Sequence, residues 1–421
     1  MQESNVEPKV TSLSFWAGID WGSVEHAICV LDTNGDIVSE LKMKHDARSI
    51  GAVVDQLLAL ANGQVESLRI GIETSTGPLV ETLLARGLAV HSINPKQLDR
   101  FRDRFSPSGA KDDRRDARVI ADALRTDARH FRSLHHESET VLELRRSVRH
   151  GVTLKRKRVE ATLQLRDELG RYYSEFLALP NGDLDSPWLL ALWHKIPNPA
   201  AALKARPAAV TALLRKYRIR RVSAEQVLGL LRTPPIAVAR GSARAAEACA
   251  QDLVEQIELL NHHVERNEGI VAMLVSRYGT EREEEGQERD VALLSAMPGV
   301  GKAVLSTLIA EASGPLRDRN YDALRLLCGV APVTKQSGKA KLVSMRRACS
   351  DALRDALFYW AGGAIRCDAH WMARFRALRA KGHSLGRAYR TIGDALLRVA
   401  CALLRTQHPY DPALKNPLAT T

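Results

Sequence analysis

Between Phe15 and Arg125, short apolar runs of strand character alternate with helix-patterned segments, and after about Asp127 the strand pattern stops. This break predicts an α/β part followed by a helical remainder. Phe15 to Asp20 and Ala27 to Leu31 are strand-length runs, and Asn34-Gly35 is a hairpin signal leading into Ile37 to Met43. A helix pattern from Ile50 to Leu60, a strand from Leu68 to Glu73, a helix after Pro78 and a strand from Leu88 to Ile93 follow.

Beyond Asp127 the apolar spacing is helical. Val141, Leu144, Val148, Val152, Val159 and Leu163 predict a long helix or one arm of a coiled coil. Leu253, Ile257, Leu260, Val264, Asn267, Val271 and Leu274 predict the second arm, with Asn267 as a register-setting polar residue. The arms can pair with each other or across a dimer. The Pro-, Ala- and Arg-rich stretch 181–240, with Trp188 and Trp193, reads as an inserted helical segment. TEREEEGQERD, from Thr280, reads as a charged linker, and the rest as helical throughout. The expected divisions are 14–128, a helical or coiled-coil region 129–280 containing the insert, a linker 281–290 and a C-terminal domain 291–408.

Lys and Arg total 61 against 49 Asp and Glu, a formal +12, which favours a polyanionic partner. The charge is clustered: Arg100, Arg102 and Arg104; Arg114, Arg115 and Arg118; Lys155, Arg156, Lys157 and Arg158; and Arg215 to Arg221 around Tyr217. Such groups suit contacts to a nucleic-acid backbone. The six cysteines form no CxxC pair, so neither a zinc knuckle nor a redox motif is supported. No apolar run is long enough for a bilayer and Met1 to Ser14 has no signal-like core, so a cytoplasmic protein is expected.

Four carboxylates carry the clearest chemistry. Asp20 (GIDWGS) and Glu73 (IGIETSTG) each end an apolar strand-like run, while Asp113 and Asp116 (KDDRRDARVIADAL) lie one helical turn apart. Ala117, Ile120, Ala121 and Leu124 extend that helix face toward a core. Carboxylate oxygens are hard ligands suited to Mg²⁺, and two such ions can serve phosphoryl transfer. Each acid alone also reads as a strand-end or helix-capping residue.

Further along, Met297-Pro298-Gly299-Val300-Gly301-Lys302 resembles the turn of a helix-hairpin-helix, where Gly299, Gly301 and Lys302 could meet a phosphate. It is not a Walker A loop, because Ala296 and Ala303 replace a required glycine and hydroxyl, so ATPase activity is not supported. Lys335-Gln336-Ser337-Gly338-Lys339, followed by Arg346-Arg347, places a serine between lysines as a phosphate contact or a nucleophile on phosphorus. Ser344 and Ser350 are alternatives.

In this order, GIDWGS, GIETSTG, KDDRRDA, a long basic helix, AMPGVGKAVLSTLIAEA, LCGVAP and QSGK resemble the DEDD transposases of the insertion-sequence 110 family across nearly the whole chain. Here Lys339 follows Gly338 where the family commonly has a second glycine, and the next helix starts RRACSDAL. The element order in the first part is also that of ribonuclease-H-like folds. The resemblance implies an N-terminal RuvC-like domain, a coiled-coil connection and a mainly helical C-terminal transposase domain. It implies a recombinase that excises and inserts its element through a circular form, guided by a bridge RNA that pairs with target and donor DNA. It places the Mg²⁺-binding acids on Asp20, Glu73, Asp113 and Asp116 and the nucleophile on Ser337. A homodimer assembling to a homotetramer, in a bacterial cytoplasm at the nucleoid, is the expected setting. The alternatives are a RuvC-like nuclease or junction resolvase, in which the acids activate water, and a DNA invertase.

Overall fold

The computed structural model describes residues 14–105, 112–180, 183–284, 290–338 and 340–411. The chain divides into two compact units, 1–137 and 138–421.

The first unit runs β1 (Phe15–Asp20), β2 (Glu25–Leu31), β3 (Ile37–Lys44), α1 (Ala47–Leu60), β4 (Leu68–Ile72), α2 (Pro78–Ala85), β5 (Ala89–Ser92), α3 (Pro95–Phe105), α4 (Asp113–Asp127) and β6 (Arg132–Leu134). One sheet of order β3-β2-β1-β4-β5-β6 results. The first three strands meander antiparallel, β1, β4 and β5 are parallel, and β6 closes the edge antiparallel to β5. The β2–β3 turn forms where expected: Asp32 Oδ1 accepts the N–H groups of Asn34, Gly35 and Asp36, each at 2.9 Å. Strand β6 corrects the expectation that strands end near Asp127. Its three residues bury only Leu134, too short a pattern to read.

One sheet face buries Ala17, Ile19, Ile28, Val30, Ile70 and Ile72 beneath α1 and α2. On the other, Ala27, Cys29 and Leu31 pack on Ala117 and Ala121 of α4. This close approach needs glycine. Gly18 and Gly71 are partners in the parallel β1–β4 register. A Cβ on Gly18 would lie 2.0 Å from the Ala117 carbonyl oxygen, and one on Gly71 would lie 2.8 Å from Ile120 Cγ2.

The second unit starts with α5 (Glu139–Tyr172), continues through the small helices α6 (Ser174–Leu177), α7 (Pro187–Lys195), α8 (Pro199–Lys204), α9 (Pro207–Lys216) and α10 (Ala224–Leu231), and returns along α11 (Arg240–Glu284). Then come α12 (Asp290–Ser295), α13 (Lys302–Arg317), α14 (Tyr321–Leu327), β7 (Val333–Ser337), β8 (Ala340–Ser344), α15 (Asp351–Cys367), α16 (Ala369–Ala380) and α17 (Leu385–Thr406). Helix α11 extends to Glu284, so the start of the expected linker is helical, while 285–289 lie outside the described residues.

Helices α5 and α11 pair antiparallel. Arg277 faces Glu143 (3.6 Å) and Lys155 faces Glu268 (2.7 Å), while Asn267 Nδ2 donates to the Ser147 carbonyl (3.2 Å). Ile257, Leu260, Val264, Asn267 and Leu274 are buried as the spacing predicts. On α5 the stripe changes phase after Val148. Leu154, Ala161, Leu165 and Leu169 are buried, whereas Val152, Val159 and Leu163 are exposed. The cause is the non-apolar seam residues between them. Gly151 packs where a Cβ would meet Asn267 Oδ1 at 2.5 Å, and Arg158 pairs with Asp185 at 3.1 Å.

Two cores sit on this helix pair. One gathers Leu154 to Leu169 with the insert, including Trp188 and Trp193. The other gathers Val141 to Val148 with Leu274, Tyr278 and α12 to α17. The β7–β8 hairpin corrects the expectation of a wholly helical C-terminal unit. All of β8, and β7 beyond Val333, are exposed, so no apolar alternation marks them in sequence.

Candidate active site and nucleic-acid interface

The parallel register pairs Ile19 with Ile72, so Asp20 and Glu73 follow at adjacent strand ends. Strand alternation puts Asp20 on the face of Gly18, the face that α4 covers. Asp112 caps α4 by accepting the Arg114 N–H at 3.3 Å, which starts the helix with Asp113 and Asp116 in its first turn. Asp113 is exposed, and Asp116, beside the close contact at Ala117, is only 2% exposed. The fold thus brings Asp20, Glu73 and the α4 N-terminus to one end of the sheet.

A residue of α3 binds two of these acids. Arg102 Nε and Nη2 donate to the two oxygens of Asp116 at 2.7 and 2.8 Å, Nη2 lies 3.6 Å from Glu73, and Nη1 reaches Asp99 at 2.6 Å. Burial works against the guanidinium charge, but the hydrogen bonds and charges of the acids outweigh it and hold its pKa above the usual arginine value. Read from sequence as part of a surface basic cluster, Arg102 faces inward. Its signal is the i, i+4 spacing from Leu98, which is fully buried.

Among the described residues no three Asp, Glu, His or Cys side chains converge closely enough to share one metal ion. The donor chemistry nevertheless fits a hard divalent cation: two carboxylates, Asp20 and Glu73, stand at adjacent strand ends, and a side-chain cation bridges Glu73 and Asp116.

The turn after Asp20 is anchored by histidines. The Gly22 N–H donates to His26 Nδ1 at 3.2 Å, and His26 Nε2 lies 2.9 Å from His45 Nδ1. Burial, and then the neighbouring His45, lower the His26 pKa. Trp21, next to Asp20, is 47% exposed and presents a ring able to stack on a base, another residue the sequence reading passed over.

In the second unit, Ser337 ends β7 opposite Ala340, and Gly338 turns the hairpin at φ +56°. Ser337 is exposed, and its hydroxyl has no hydrogen-bond partner among the described residues. The alternatives are engaged: Ser344 Oγ donates to the Val333 carbonyl at 3.4 Å, and Ser350 caps α15 by accepting the Leu353 N–H. Lys335 is two residues from Ser337 on the same ribbon face, and Lys339 lies outside the described residues.

The other basic positions differ in availability. Arg114 pairs with Glu40, Lys155 with Glu268 and Arg158 with Asp185 and Asn261, whereas Arg115, Arg156, Lys157, Lys302 and Arg347 are exposed. Gly299 (φ +81°) packs on α15, where a Cβ would lie 2.2 Å from the Ala364 nitrogen, so its glycine serves helix packing. Gly301 stands open at the start of α13.

Two family models match this chain: a "Transposase" family of DEDD type over residues 17–174, and "Transposase IS116/IS110/IS902 family" over 291–376. The first covers the acids and the second covers Ser337. The chain belongs to the IS110 family of transposases. The DEDD match implies a ribonuclease-H-like fold for the mixed α/β sheet of this IS110-family chain. It is 26% identical to "Mini-circle putative transposase for IS117" of Streptomyces coelicolor, over 95% of this chain and 96% of the relative. It is 43% identical to "Putative transposase y4uE" of Sinorhizobium fredii over 50% of this chain, a match spanning 58% of that relative. A third relative, "Insertion element IS110 uncharacterized 43.6 kDa protein" of Streptomyces coelicolor, is 23% identical over 94% of this chain. No helix among the described residues is long and apolar enough to cross a membrane.

Proposed function

We propose that this IS110-family chain cuts and exchanges DNA strands at the ends of an insertion sequence, with Asp20, Glu73, Asp113 and Asp116 as a metal-binding set and Ser337 as nucleophile. The observation that carries the reading is the gathering of Asp20, Glu73 and Asp116 at one sheet end by the Gly18–Gly71 contact with α4. The acids, most simply with Mg²⁺, would hold divalent ions that neutralise charge on a scissile phosphate. Arg102, which pairs with Asp116 and Glu73, would have to release them to such ions.

In the proposed reaction, Ser337 Oγ attacks phosphorus. A phosphoserine bond forms, the bond from phosphorus to a deoxyribose oxygen breaks, and that oxygen leaves as a hydroxyl carrying the proton lost by the serine. A hydroxyl of the partner strand later attacks the phosphoserine and releases the serine, so no external energy source is needed. The ready hydroxyl of Ser337 and the flanking Lys335 support this assignment over Ser344 and Ser350. The name of the mini-circle relative accords with excision through a circular form. Guidance by a bridge RNA fits the net charge of +12, and assembly of dimers into tetramers fits the exposed stripe of Val152, Val159 and Leu163. The divisions 14–128, 129–280 and 291–408 would then be the RuvC-like, connecting and transposase parts.

The test is denaturing electrophoresis of the full chain after incubation with labelled element-end DNA and Mg²⁺. A protein–DNA adduct is expected, absent in Ser337→Ala. Cleavage without an adduct, retained in Ser337→Ala, would replace this reading with a water-activating nuclease.

A further inference from the structure

A cleft of about 480 Å³ opens at the base of the β7–β8 hairpin, away from the tip that carries Ser337. Four guanidiniums line it, Arg325, Arg346, Arg387 and Arg390, together with the hydroxyls of Ser344 and Thr391. The one acid in the lining, Asp394, is already occupied, accepting from Arg325 at 3.0 Å and from the Tyr321 hydroxyl at 2.8 Å. Among the described residues no carboxylate pairs with Arg346, Arg387 or Arg390. The Nε groups of Arg325 and Arg346 are buried without a hydrogen-bond partner. Buried N–H donors on cations are costly to leave unsatisfied, and the two arginines that carry them line a cavity with three guanidiniums that no carboxylate neutralises among the described residues.

We propose that this cleft binds a backbone phosphodiester of the nucleic-acid strand that passes along the hairpin. Guanidinium forks match phosphate oxygens without reading sequence. The inference rests on the recombinase reading only for the role of Ser337. From the Val333–Ser344 pair to the Ser337–Ala340 pair is four residues of strand, about 13 Å. That is about four nucleotides at roughly 3.4 Å each along one strand. The cleft therefore sets the register of the strand, placing a phosphate about four nucleotides from the one that reaches the serine.

The test uses the full chain and fluorescence anisotropy with a labelled 20-nucleotide single-stranded DNA and an RNA of matching sequence, titrated at several salt concentrations. Arg387→Gln/Arg390→Gln is compared with the charge-matched Arg376→Gln/Arg405→Gln, whose residues are exposed elsewhere on α16 and α17. Loss of the one phosphate contact lowers the slope of log affinity against log salt by about 0.7 for a single strand. Binding at low salt should weaken at least tenfold for the pocket variant and little for the control. The DNA and RNA arms show which strand the cleft holds. Equal losses in both variants, or unchanged affinity and slope in the pocket variant, would overturn the proposal. Inorganic pyrophosphate gives a readout that needs no variant to fold: it should raise the wild-type melting temperature above that in sodium chloride of equal ionic strength, and no rise counts against the cleft. Binding is read apart from catalysis. A chain that shows these binding changes but never forms a Ser337 adduct loses the recombinase reading and keeps the pocket.

Discussion

Gly18 of β1 and Gly71 of β4 lie opposite each other in the parallel register, and a side chain on either would collide with α4. The contacts differ in kind. At Gly18 the obstacle is the backbone of Ala117 and Ala121, and at Gly71 it is chiefly the Ile120 side chain. Gly18→Ala should therefore cost about 3 kcal/mol and Gly71→Ala about 1 kcal/mol, within the range for overpacking. Urea denaturation measures both. If Gly18→Ala matched the wild type, the close docking of α4 would be wrong.

Removing Arg102 leaves Asp116 buried without its partner. Arg102→Ala should lose about 2–4 kcal/mol of stability in the absence of divalent ions, because an uncompensated buried carboxylate is strongly unfavourable. Millimolar Mg²⁺ or Mn²⁺ should restore much of it, and should raise the melting temperature of the variant more than that of the wild type. Differential scanning fluorimetry with and without metal decides this. Equal metal responses would argue against competition between Arg102 and an ion for the same acids.

The serines of the C-terminal unit separate by function. Ser350→Ala removes the cap of α15 and should cost about 1 kcal/mol while leaving adduct formation intact. Ser337→Ala, at an exposed position, should melt as the wild type does. Melting curves taken alongside adduct assays test the pair, and an adduct lost in Ser350→Ala alone would move the nucleophile.

Acid should weaken the first unit through His26. An unfolded histidine titrates near about 6.5, and the folded pKa of His26 is lower, held down by burial and by His45, with the Trp21 ring also against it. Between the two values the unfolded chain binds a proton that the folded chain does not. The stabilisation is thus complete above about pH 6.5 and falls with pH by at most about 1.4 kcal/mol per unit. Urea melts at pH 7.5 and 5.5 should show this loss, and His26→Gln should flatten it. An identical acid slope in the variant would assign the effect elsewhere.

The placement of the candidate acids was legible because Asp20 and Glu73 close apolar strands and Asp116 precedes an unbroken stripe from Ala117 to Leu124. Arg102 was not, because it sits among Arg100 and Arg104, and composition does not say which arginine of a cluster turns inward. Gly18 and Gly71 carried a readable signal, a glycine inside an apolar strand, whose meaning depends on a helix nearly fifty residues further along or more. The seam of α5 was misphased because Gly151 and Arg158, neither of them apolar, occupy it. The β7–β8 hairpin left no pattern, since a ribbon without a buried face has no need of alternation.

The antiparallel pair of α5 and α11 carries a core at either end, and α5 alone, at 34 residues, is about 51 Å long. With Asn267 tied to Ser147 and Gly151 making room for it, the two helices cannot slide by a fraction of a turn. The spacing between the two cores is therefore set by helix length, and it can change only in whole helical steps through matched insertions in both arms.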